Sequence, residues 1–94
     1  MDGEIISKEN VLKWLKSRKT IKSFNIIGLA LFMYGLKREL SCQGHLKAIA
    51  EVSKIRIKIL QSMNSEKSYC FGKELDDLGE EVWNICVGLS PLFS

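Results

Sequence analysis

Between Phe24 and Leu36 the chain is apolar at almost every position, reading Phe24-Asn25-Ile26-Ile27-Gly28-Leu29-Ala30-Leu31-Phe32-Met33-Tyr34-Gly35-Leu36. A helix that is apolar nearly all round has no wet face of its own, so other helices or lipid must enclose it. The run rises only about 20 Å, short of the roughly 30 Å hydrocarbon core of a bilayer. Lys22 before it and Lys37-Arg38 after it stop it from extending. The expectation is a buried central helix with no membrane span. Gly28 and Gly35 are seven residues apart and share a face. They would let a neighbouring helix come close, at about 1 kcal/mol each relative to alanine.

The remaining periodicity supplies the neighbours. Val11, Leu12, Trp14 and Leu15 recur at helical spacing behind Ser7, an N-cap residue, which gives a first helix over 8–18. The central helix is expected over 21–40, capped by Thr20 or Ser23, with Ser41 to His45 as a loop. Ile49, Val52, Ile55, Ile59 and Met63 form the apolar stripe of a third helix over 45–63. Within it Ile55-Arg56-Ile57-Lys58-Ile59 alternates as a strand does, but the longer helical stripe upstream outweighs five residues. Ile57 is left off the buried face. Tyr69-Cys70-Phe71 reads as a turn that plugs one end of the fold. Leu75, Leu78, Val82, Ile85 and Leu89 are spaced 3, 4, 3, 4, an a/d seam for a fourth helix over 72–88 that Pro91 ends. Four helices joined by short loops predict a single all-α domain over 1–94, a small four-helix bundle or an irregular orthogonal array.

Charge divides the chain. The first 59 residues hold twelve Lys and Arg against five Asp and Glu, and the rest hold two against six, so a net +7 faces a net −4. The split has two readings. Either the basic half meets an anionic partner, or the acidic helix packs beside it and cancels it.

Little in the sequence points to catalysis. It contains no phosphate-cradling glycine loop, no nucleophile elbow, no HExxH and no calcium loop. His45 is the single histidine. Cys42, His45, Cys70 and Cys86 make up a Cys₃His ligand set, but structural zinc ligands come as two close pairs and these do not. No metal, cofactor or catalytic residue is assigned. An odd cysteine count without close pairs, and a start lacking an apolar leader, fit a reducing intracellular compartment, cytoplasm or nucleus. Glu74, Asp76, Asp77, Glu80 and Glu81 along one helix read as a solvated acidic face rather than a cation site.

Two functional expectations follow. The first is a non-enzymatic, regulatory protein-interaction module, a homodimer whose interface draws on Ile57, Leu75, Leu78, Val82, Trp83, Leu92 and Phe93. The alternative is a sequence-tolerant nucleic-acid-binding protein. Its basic set is Lys13, Lys16, Arg18, Lys19, Lys22, Lys37, Arg38, Lys47, Lys54, Arg56 and Lys58. If the first and third helices are adjacent, these could make one cationic face.

Overall fold

The computed structural model describes residues 6–64 and 73–93, and all of the regular structure among them is helical. In chain order the helices are α1 (Lys8–Leu15), α2 (Arg18–Ser23), α3 (Ile26–Gln43), α4 (Leu46–Asn64) and α5 (Lys73–Leu89). A 3-10 turn, Ser90–Phe93, closes the described chain. The all-α array is as expected. The turn assigned to Tyr69-Cys70-Phe71 lies outside the described residues.

The N-terminal half is divided more finely than its apolar periodicity implied. Ser7 caps α1, its Oγ accepting from the Asn10 N–H at 3.3 Å. The first helix then stops at Leu15 rather than running to 18, because Ser17 caps a new one. The Ser17 Oγ accepts from the Thr20 N–H at 3.2 Å. The span expected as one helix over 21–40 is broken at Phe24–Asn25, where the Asn25 Oδ1 accepts from the Gly28 N–H at 2.7 Å. Ser17 and Asn25, not Thr20 or Ser23, therefore supply the caps. Both are residue types whose side-chain oxygen competes for backbone N–H groups, so each ends one helix by starting another.

Ser41, Cys42 and Gln43 belong to the last turn of α3, and the loop shrinks to Gly44-His45. Gly44 is the one described residue with positive φ, 76°. Its N–H and that of His45 fold back on the Leu40 and Ser41 carbonyls, the glycine-ended helix stop. So short a link makes α3 and α4 an antiparallel hairpin and the most extensive helix pair in the fold. The alternating stretch from Ile55 to Ile59 is helical within α4.

The core collects Val11, Leu15, Ile21, Leu29, Phe32, Met33, Leu36, Leu40, Val52, Ile59, Val82 and Cys86, all essentially solvent-free. Three rings join the N-terminal segments over it. Trp14 meets Phe24 edge-on at 5.5 Å between centroids and Phe32 at 6.4 Å, and Phe24 lies 5.8 Å from Phe32. Of the two glycines expected to admit a neighbour, only Gly35 does so. A Cβ there would sit 2.8 Å from Val11 Cγ2, which is where α1 crosses α3. At Gly28 the nearest groups belong to Phe24 and Asn25 of its own cap. Gly79 is a close-approach glycine that the spacing did not reveal. Lys22 of α2 passes over it, with its Cα 3.9 Å from a notional Cβ.

Candidate functional site

The acidic helix spends part of its charge inside the chain. Lys22 Nζ lies 2.5 Å from Asp76 Oδ1 and 3.2 Å from Glu80 Oε2, and it also donates to the Asp76 carbonyl at 3.0 Å. Arg18 pairs with the same Glu80, and Lys58 Nζ lies 2.9 Å from Glu81 Oε1. Gly79 lies beneath Lys22, whose Cδ is 3.4 Å from a notional Cβ there, an ordinary contact distance. The bond to Asp76 is the main reason the Lys22 ammonium is held above its ordinary pKa. The bond from Lys22 likewise holds the Glu80 carboxyl below its usual range. A lowered carboxyl pKa adds stability above that range and loses it as pH falls through the lowered value.

These pairs remove Arg18, Lys22 and Lys58 from any common basic face. The premise of that face also fails: α1 packs on α2, α3 and α5 and has no substantial contact with α4. Lys13, Lys16 and Lys19 stand exposed at the α1–α2 end. Lys54 is exposed on α4, and Lys47 lines a separate groove of about 760 Å³ with Glu51, Leu46 and Leu92. The eleven basic positions therefore make several groups and not one surface.

The expected interface residues divide in the same way. Leu78 and Val82 are buried within this chain, and Leu75, Trp83 and Phe93 pack against its core. The a/d seam of the acidic helix is thus used in folding, where α5 packs on α2, α4 and the core. Ile57 is 55% exposed and Leu92 39%. The apolar run that was expected to be buried all round is not. Ile27 is 56% exposed, Leu31 38% and Tyr34 46%. Spaced at four and three residues, they form one stripe along α3. Ile57 lies at the same level on α4, because Arg56 beside it sits 5.5 Å over the Tyr34 ring. A stretch with no polar positions has no period, so this stripe left no mark in the sequence.

At its C-terminal end the stripe changes character. Tyr34, Lys37, Arg38 and Ser41 from α3 and Arg56 from α4 line a cup of about 290 Å³. Arg38 donates to the Ile6 carbonyl, and its Nε lies 3.2 Å from Glu39, a nearly buried carboxylate. Arg56 Nε is buried and has no acceptor among the described residues. A buried donor left unpaired costs about 1–3 kcal/mol, and more when charged, so this guanidinium is held at some expense. Lys37 and Arg56 make no ion pair with a described residue.

The cysteine and histidine positions do not converge. Cys42 is exposed and Cys86 is buried in the core. His45 Nε2 is 3.0 Å from the Gln43 side-chain oxygen. Among the described residues no three His, Cys, Asp or Glu side chains gather as metal ligands would. Cys70 lies outside them. Burial pushes the Cys86 thiol up to about 12. A thiol so protonated is a small hydrophobe rather than a nucleophile. Iodoacetamide is expected to label Cys42 in the folded protein and Cys86 only in denaturant. Peptide mass spectrometry reads this directly, and equal labelling of both under native conditions would contradict it.

No family model matches the chain, and no curated protein or solved structure matches it. No described helix is long and apolar enough to cross a membrane.

Proposed function

We propose that this chain acts by binding rather than catalysis, and that its α3–α4 face pairs with the same face of a second copy. The observation that carries this is the exposed stripe Ile27, Leu31 and Tyr34 on α3, with Ile57 exposed on α4. Isolated apolar side chains at a surface need no explanation, but three aligned along one helix, with a fourth exposed on its hairpin partner, do. A second copy is the occupant that fits the charges. The acids Asp76, Glu80 and Glu81 are engaged within the chain, so a self-contact must be apolar at its centre. A two-fold axis perpendicular to α3 lays stripe on stripe with the helices antiparallel, which sets the two Lys37-Arg38 ends far apart. A chain of 94 residues also gains proportionally from covering apolar surface. In this reading the module is regulatory and works in a reducing intracellular compartment, which Cys42 and Cys86 as free thiols support.

Sedimentation across a dilution series tests it. The expected mass at micromolar concentration is twice the 10.7 kDa of the chain, with little dependence on salt. Leu31→Asp and Ile57→Asp should each shift it to the monomer while circular dichroism stays helical, since both side chains are exposed. A mass of one chain throughout would overturn the reading. Sequence-tolerant contact with nucleic acid is the second reading, and only the Lys37, Arg38 and Arg56 group favours it.

A further inference from the structure

We propose that the cup lined by Tyr34, Lys37, Arg38, Ser41 and Arg56 is an oxyanion site that takes the phosphoryl group of a phosphate monoester. The assignment rests on charge, donors and size, and it does not depend on self-association.

Three cationic side chains line this cup and no carboxylate does. Glu39 is bound to Arg38 and offsets one of the three charges. Two positive charges remain. A carboxylate would neutralise one of them, whereas a phosphate monoester brings about −1.5 to −2. The donors point the same way. Two guanidinium groups and an ammonium supply charge-assisted N–H donors, and the Tyr34 and Ser41 hydroxyls add neutral ones. A phosphoryl group has three terminal oxygens to receive them, and a carboxylate has two. Arg56 is already desolvated at Nε and braced across the Tyr34 ring, so little side-chain freedom is left to lose on binding. A volume of about 290 Å³ accommodates one phosphoryl group and a few atoms beyond it. A nucleic-acid backbone fits this cup less well, since a strand needs a charged track and the other basic residues lie elsewhere or are paired.

The test uses the whole chain and inorganic phosphate, titrated at constant ionic strength and followed by backbone amide chemical shifts. The expected result is saturable shifts confined to residues 34–41 and the neighbours of Arg56, with phosphate binding more tightly than acetate. Arg56→Gln and Lys37→Gln should each weaken phosphate by about tenfold, the loss of one hydrogen bond to a charged group. Lys54→Gln, exposed on the same helix, should leave it unchanged. The Leu31→Asp variant should bind phosphate as the native chain does, which separates this result from the fate of the dimer. Two further probes give the source. Glycerol phosphate binding as well as a phosphoserine peptide assigns a small phosphate ester. A phosphopeptide binding at least about tenfold more tightly assigns a partner's modified residue. Shifts spread over all exposed lysines, acetate equal to phosphate, or wild-type affinity in Arg56→Gln and Lys37→Gln would each overturn the proposal. So would an oligonucleotide without a terminal phosphate that binds these residues as well as one that carries it.

Discussion

Replacing Phe32 by alanine is expected to cost about 3–5 kcal/mol of folding stability. Phe32 is 1% exposed and touches Trp14 and Phe24, so truncation removes one ring and the partner of two others. The edge-to-face contact with Trp14 adds about 0.5–1.5 kcal/mol beyond area. The three rings come from α1, the α2–α3 break and α3. A cavity here cannot be refilled easily, because Leu29, Met33 and Leu36 around it are already enclosed. A chain of this length has a total stability of roughly 5–14 kcal/mol, so the loss is a large share of it. Urea unfolding followed by circular dichroism checks the value. A loss below about 1 kcal/mol would mean that the ring cluster does not hold the N-terminal helices.

Gly35→Leu is expected to destabilise by about 1–3 kcal/mol, in spite of the gain from helix propensity. In an open helix the exchange of glycine for leucine gains close to about 1 kcal/mol. At Gly35 the new Cβ would stand 2.8 Å from Val11 Cγ2 and 3.6 Å from Ile6 Cβ. Val11 is fully enclosed, and a β-branched side chain has one strongly preferred rotamer in a helix, so it cannot turn aside. The crossing of α1 over α3 must open instead. Gly88, exposed on α5 with no atom within 4 Å of a notional Cβ, is the control. Gly88→Ala should be neutral or stabilising by up to about 1 kcal/mol. Thermal unfolding of both variants beside the native chain separates close approach from propensity. Equal signs at the two positions would show that the helix crossing tolerates a side chain.

The wet and dry faces of α4 and α5 were legible because their polar positions give the apolar ones a period. Val52 and Ile59, and Leu78, Val82 and Leu89, lie inside where spacing put them, and Ile57 lies outside. The seam on α5 was legible as apolar but not as internal, since a stripe at a/d spacing packs equally well against its own chain or another. In α3 the same method had nothing to work with. Its unbroken apolar run identified the central helix and concealed the exposed line Ile27, Leu31 and Tyr34. The breaks at Ser17 and Asn25 were written in cap residues, but Thr20 and Ser23 carry similar chemistry close by. Which hydroxyl or amide wins depends on where α1 must turn to reach Gly35.

By itself the sequence determined the helical class and the central position of α3, because propensity and periodicity act over a few residues. Tertiary structure decided where the charges went. Lys22 meets Asp76 across 54 positions, and Arg18 meets Glu80 across 62. Lys37 and Arg38 are joined by Arg56 only because Gly44 folds α4 back on α3. A charge carries no period and no preferred neighbour along the chain. Its partner is set by which backbones come within a few ångströms, and here that follows from the packing of α2 on α5.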